Sequence, residues 1–121
     1  MAHIMFVDDD PLTLETFARA TQLFGHQALL AGSGEEALRL AGAQAPDLIF
    51  IDQMLPDMDG LDLLRAFHRQ ASTSQIPMLV LSAGPEVELA EQARDAGACD
   101  FVSKPIRLAM LQEVIQTYTA G

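Results

Sequence analysis

The sequence predicts an α/β domain in which a buried, doubly wound parallel sheet carries helices on both faces. Three observations carry that expectation. Short apolar runs alternate with helix-like segments five times, most of the runs are continuous rather than alternating, and polar or charged residues follow them. Continuous apolar runs are how strands covered on both faces read. Their alternation with helices is the pattern of βαβ units joined by right-handed crossovers. A chain of 121 residues suits a single domain, expected over residues 1–121, with room for a proper core.

The strand-like runs are His3–Val7, His26–Ala31, Asp47–Ile51, Pro77–Leu81 and Cys99–Ser103. Asp10-Pro11 offers a helix N-cap followed by proline at the first helical position, and Gly25 can end that helix. Ser33 with Glu36 forms a capping box, opening a helix that carries Ala37, Leu38, Leu40 and Ala41. Asp59 can cap a third helix, in which Leu61, Leu64 and Phe67 recur at helical spacing. A fourth begins near Glu86 and ends at Gly97, and a fifth follows Pro105.

Composition narrows the function. Lys and Arg number 7 against 17 Asp and Glu, a formal net charge of −10. That balance repels nucleic-acid phosphates and suits a protein that takes up cations or meets basic partners. One cysteine, Cys99, excludes an internal disulfide and is expected to be a buried, inert thiol in a reducing compartment. No apolar run reaches membrane-spanning length and no signal core opens the chain, so the expectation is a cytoplasmic domain with no membrane contact.

In an open parallel sheet, ligands sit beyond the carboxyl ends of the strands. Asp8 and Asp9 follow the first run, Asp52 the third, Ser82 the fourth and Lys104 the fifth. Four of five strands thus deliver a charged or reactive group to one end. Like charges about 4 Å apart cost roughly 4 kcal/mol per pair at an effective dielectric of 20. Asp8, Asp9 and Asp52 therefore call for a cation, and Mg²⁺ fits because it takes one or two carboxylates and keeps exchangeable waters. Lys104 adds a compact positive charge. A carboxylate can also serve as nucleophile and become an aspartyl phosphate, and Asp52, at the end of the central strand, is the candidate. Asp10, Asp57 and Asp59 read as cap and turn residues, and His3, His26 and His68 as structural or exposed.

The stretches FVDDDP, LIFIDQMLPDMDG, LVLSA and DFVSKPI, in that order and spacing, resemble the receiver domain of two-component response regulators. The resemblance covers essentially the whole chain and implies the flavodoxin-like fold of the chemotaxis response regulators, with strand order 2-1-3-4-5 and five helices. It implies that Asp52 is the phosphoacceptor and that Asp8, Asp9, Asp52 and the backbone carbonyl of Met54 hold Mg²⁺, Asp9 directly and Asp8 largely through water. Ser82 takes the hydroxyl switch position, Phe101 the aromatic switch and Lys104 the lysine position, with a cis Lys104–Pro105 peptide. The implied partners are a histidine kinase or histidine phosphotransfer domain and a downstream effector met through the fourth helix, fifth strand and fifth helix.

Two departures bear on mechanism. Met54 and Gly84 stand where the family's side chains set the hydrolysis rate, and neither can hydrogen-bond an attacking water, so self-dephosphorylation is expected to be slow. One class of receivers dimerises through salt bridges on the output face. Asp100 is present here, but Met110 and Val114 replace the expected Glu and Arg, leaving at most a weak homodimer. In the last helix, Leu108, Leu111 and Ile115 suit the core, while Met110 and Val114 lie to one side, as a wide core stripe or an apolar docking patch.

Other readings fit less well. A phosphohydrolase would need an acid/base two residues beyond the nucleophile, where Met54 stands, and a substrate cap for which the chain lacks room. A flavin site would sit poorly in an anionic crevice in a chain with one Tyr and no Trp. A silent interaction module would not need the full Asp8, Asp9, Asp52, Ser82, Lys104 set. The expectation is a signalling domain that catalyses only its own phosphorylation and its slow reversal.

Overall fold

The computed structural model describes residues 1–83 and 87–119, and the side chains of all of these except residues 87 and 88. The elements run β1 His3–Val7, α1 Pro11–Leu23, β2 Gln27–Ala31, α2 Gly34–Ala43, β3 Leu48–Asp52, α3 Gly60–Arg69, β4 Met78–Ser82, α4 Val87–Asp95, β5 Asp100–Ser103 and α5 Leu108–Thr119. The five strands form one sheet in the order β2-β1-β3-β4-β5, all pairs parallel. This is the doubly wound, flavodoxin-like arrangement expected from the sequence.

Two apolar layers explain the continuous strand patterns. One face of the sheet packs Met5, Val7, Ile49, Ile51 and Val80 against α2, α3 and α4. The other packs Ile4, Phe6, Phe50, Leu79 and Leu81 against α1 and α5. Every residue of β3 and β4 is buried, since both strands lie inside the sheet with helices above and below. Phe6 stacks on Phe17 and Phe50 at centroid distances of 4.7 and 5.1 Å, tying β1 to α1 and β3 just below the strand ends.

The cap signals work as read. Asp10 accepts from Leu12 N, with Pro11 at the first helical position. Ser33 Oγ accepts from Glu36 N at 3.1 Å, while Glu36 returns to Gly32 N at 2.8 Å, one residue upstream of the usual capping-box partner. Asp59 Oδ1 accepts from Leu61 N at 2.8 Å. Gly25 and Gly97 stand at the ends of α1 and α4. The predicted start of α4 at Glu86 lies outside the described residues, and α5 opens only at Leu108.

Four differences have physical reasons. Strands β2 to β5 each begin one residue late. His26 is drawn out of β2 because its N–H donates to Thr21 O and its ring Nδ1 accepts from Ala2 N. Asp52 and Ser82 do not follow their strands but end them, paired with Leu81 and Ser103. Cys99 is exposed, not buried, because it precedes an edge strand. Its thiol pKa is nevertheless pushed up by desolvation, with Asp100 acting in the same direction, which disfavours the thiolate. Finally, Met110 and Val114 part company: Val114 is 7% exposed and belongs to the core, whereas Met110 is 46% exposed.

That division is testable by urea unfolding. Val114→Lys is expected to cost about 3 kcal/mol by burying an unpaired charge, and Met110→Lys to stay within about 0.5 kcal/mol of the parent.

Candidate functional site

The site assembles where β1, β3, β4 and β5 end. Asp8 leaves β1 with its N–H on Ala31 O at 3.0 Å, and its Oδ1 accepts from Asp10 N at 3.0 Å. Those bonds turn the carboxylate inward, leaving Asp8 2% exposed. Asp9 is exposed. Asp10 turns away to α1, accepting from Thr13 Oγ1 at 2.6 Å and Leu12 N at 3.2 Å, and these two bonds lower its carboxyl pKa. Of the three successive aspartates, two face the crevice and the third serves the helix.

Asp52 closes β3 and is 9% exposed. The chain then folds back sharply: Gln53 N donates to Leu81 O at 2.9 Å, Met54 pairs with Asp59, and Gly60 N donates to Gln53 O at 2.7 Å. Gly60 is required there, because a Cβ would collide with the backbone carbonyl of Asp52. The β3–α3 loop is thereby pressed against Asp52.

One carboxylate oxygen from each of Asp8, Asp9 and Asp52 lies within 4.8 Å of the other two. Lys104 enters from β5, with Nζ at 2.9 Å from Asp8 Oδ2 and 3.2 Å from Asp52 Oδ2. Burial raises the Asp52 carboxyl above its ordinary pKa, and the charge of Asp8 adds to the rise, while Lys104 opposes it. Burial alone would lower the Lys104 ammonium, but the hydrogen bond to Asp8 and the charge of Asp52 outweigh it and hold the pKa up. The crevice therefore keeps its ammonium protonated yet leaves three carboxylates only partly compensated. An all-oxygen donor set of this charge fits a hard divalent cation such as Mg²⁺.

The remaining sequence-predicted residues surround this core. Ser82 ends β4 at 2% exposure, its carbonyl accepting from Lys104 N at 2.6 Å. Phe101 is half-buried against the α2–α3–α4 layer, and its N–H donates to Asp100 Oδ1 at 2.8 Å. The Lys104–Pro105 peptide is cis. Met54 is 73% exposed, its side chain projecting from the loop. Gly84 lies outside the described residues. His3, His26 and His68 stand apart from the site. His3 Nδ1 lies 3.3 Å from Gln44 Nε2, His26 holds Ala2 N, and His68 lies between the carbonyls of Ser74 and Gly97.

Sequence reasoning missed a cavity of about 320 Å³ beside Lys104. Its walls come from the first turns of α1 (Leu12, Thr13, Thr16, Phe17) and from Pro105 and Ile106. Its one linear signal is an apolar residue, Leu12, following Asp10-Pro11 at the outset of α1, where the structure leaves it 72% exposed.

The raised Asp52 carboxyl fixes the sign of a stability effect. Because its folded pKa exceeds its unfolded one, ionisation costs the folded state stability at neutral pH, and that cost fades as pH falls through the folded pKa towards the unfolded value. Asp52→Asn is expected to stabilise the protein at pH 7 without divalent ions, with the gain disappearing in acid. Thermal unfolding of both proteins from pH 7 down to pH 3 in chelator checks this.

Comparison with known proteins accounts for the arrangement. Residues 4–116 match the family model described as "Response regulator receiver domain". The chain is 29% identical to Protein PilH of Pseudomonas aeruginosa, with both chains covered in full. It is 35% identical to the transcriptional regulatory protein KdpE of Mycobacterium tuberculosis, all of this chain matching 54% of that one. The chain thus spans about half the length of the KdpE relatives it matches. Among solved structures, chemotaxis protein CheY4 of Vibrio cholerae superposes with a TM-score of 0.93 at 26% identity, 98% of each chain being covered. The receiver domain of a Pseudomonas aeruginosa sensor histidine kinase, with a magnesium ion coordinated in its active-site cleft, superposes with a TM-score of 0.89 at 28% identity, covering 99% of this chain and 98% of that one. By its sequence and its fold, the chain belongs to the response regulator receiver domain family.

Proposed function

We propose that the chain is a phosphorylation-activated receiver of a two-component system, in which Asp52 accepts a phosphoryl group from a histidine kinase or histidine phosphotransfer domain. The observation that carries the reading is the placement of Lys104 Nζ between Asp8 and Asp52, at 2.9 and 3.2 Å, beside the three clustered carboxylates. Asp8, Asp9, Asp52 and the Met54 carbonyl would hold Mg²⁺. When bound, such an ion supplies positive charge to a phosphoryl oxygen and offsets the repulsion among the carboxylates.

The chain's own residues do the rest. An Asp52 carboxylate oxygen attacks phosphorus in line, the P–N bond to the donor imidazole breaks, and the imidazole recovers its lone pair. Lys104 stays protonated and can move its charge from the Asp52 carboxylate to an equatorial phosphoryl oxygen. The apolar groove between α1 and Ile106 opens beside Lys104 and offers a seat for a helix of the phosphodonor. Phosphorylation replaces one negative charge by nearly two and adds acceptor oxygens. The Ser82 hydroxyl would turn towards them, and Phe101 would follow into the space vacated, altering the α4–β5–α5 face presented to an effector. A signal needs the phosphoryl group to favour the active arrangement by a few kcal/mol.

Incubation with acetyl phosphate and Mg²⁺, followed by intact mass, tests the reading: the parent should gain one phosphoryl group and Asp52→Ala none. A parent that gains no mass, or an Asp52→Ala variant that still does, contradicts it. The exposed thioether of Met54 cannot orient a water, so the phosphorylated form should decay slowly in Mg²⁺, and Met54→Asn should speed the decay several-fold. Rapid decay of the parent without a phosphatase is the opposing result.

A further inference from the structure

Asp57 sits in the same β3–α3 loop as Met54, yet its carboxylate takes no part in the acidic cluster. It reaches instead to the start of α2, where Oδ1 accepts from Gly34 N and Oδ2 from Glu35 N, each at 2.9 Å. Those two bonds hold its carboxyl below the ordinary range. The next residue, Met58, lies directly over Gly34, so that a Cβ at position 34 would collide with its thioether. Met58 also packs against the α2–α3–α4 layer. A charged and an apolar contact, from consecutive residues, thus fasten the loop to α2, the neighbouring helix on the same face of the sheet as α3.

The fastening matters because of what the loop carries. At its base the loop is closed by the Met54–Asp59 pairing and the Gly60–Gln53 hydrogen bond, but its tip has no sheet partner among the described residues. Met54, near that base, directs its amide to the Asp52 carboxylate, and its carbonyl would join the proposed cation site. Anchoring the tip to α2 limits how the whole loop can rock, and hence where those two backbone groups point.

We propose that Asp57 and Met58 clasp the β3–α3 loop to the start of α2, making Asp57 a positioning residue for the cation bound at Asp8, Asp9 and Asp52. The inference rests on the receiver reading given above and adds a residue to it. By reciprocity, if the clasp prepares the loop for the cation, the cation must in turn steady the clasp. A carboxylate that only capped a helix would show neither coupling.

Mg²⁺ binding is measured by calorimetry on the parent, Asp57→Ala, Asp57→Asn and Gly34→Ala, with circular dichroism to confirm folding. Asp57→Ala should bind Mg²⁺ about tenfold more weakly, the scale for groups that orient metal ligands. Asp57→Asn, which keeps one acceptor oxygen, should fall between the two, and Gly34→Ala should weaken binding from the other side of the clasp. With acetyl phosphate, the Mg²⁺ concentration for half-maximal phosphorylation should rise in Asp57→Ala while the rate at saturating Mg²⁺ changes less than twofold. In the parent, hydrogen exchange at the Gly34 and Glu35 amides should slow when Mg²⁺ is added. This last measurement decides the matter should the Ala variant fail to fold. A parent that binds Mg²⁺ and takes a phosphoryl group, with Asp57→Ala equal to it or with unaltered exchange at 34 and 35, overturns the clasp alone. A parent that binds no Mg²⁺ overturns both the clasp and the receiver reading.

Discussion

The ammonium of Lys104 is the interaction on which the site depends. Among the described residues its contacts with Asp8 and Asp52 are the ion pairs that join distant parts of the chain; the others lie within single helices at three- or four-residue spacing and are largely exposed. Exposed local pairs contribute little. The Lys104 pair is different in kind, because Asp8 and Asp52 are almost fully buried and would otherwise face each other as uncompensated anions. One cation spanning β1, β3 and the end of β5 lets the sheet end in acid at all. It compensates incompletely, and the remaining negative charge suits the crevice to the divalent ion proposed for it.

The rest of the architecture keeps that balance in place. Parallel order puts all five carboxyl ends on one side, and the central position of β3 sets Asp52 between the ends of β1 and β4. The stacked Phe17, Phe6 and Phe50 rings make a stiff floor under those ends. Helix α1 is held by Asp10, the member of the acidic triplet that the site does not use. On the other side, Gly60 lets the β3–α3 loop lie flat against the Asp52 backbone, and Asp57 carries the loop on to α2. The aspartates around the strand ends thus divide: Asp8, Asp9 and Asp52 gather at the crevice, while Asp10, Asp57 and Asp59 find helix N-termini, where the dipole and free N–H groups favour them.

Much of this was legible before any coordinates. The strand pattern gave the order of elements because β3 and β4 are buried on both faces and so carry unbroken apolar runs. The caps at Asp10, Ser33 and Asp59 were readable because each acts within a few residues of itself. What escaped was long-range. Nothing local to Asp57 tells it apart from a turn residue, since its partners lie in a different βα unit. The groove between Leu12 and Ile106 is likewise built from the two ends of the chain. Strand limits slipped by one residue where a side-chain contact, such as the His26 ring on Ala2 N, competed with the ladder. Periodicity placed Met110 and Val114 together, although only Val114 reaches the core, because α5 presents a narrower apolar stripe than its composition implies.

The central claim is that three carboxylates and one ammonium form a single cation-hungry unit at the strand ends. Titration of the isotopically labelled protein with Mg²⁺, followed through its backbone amides, tests it most directly. Saturable shifts should concentrate at residues 8–10, 52–54, 82, 103 and 104, at the strand ends around the crevice, and should be abolished by Asp9→Asn. Absence of saturable shifts, or shifts centred on the exposed acidic residues of α2 and α3 and indifferent to Asp9→Asn, would contradict the account.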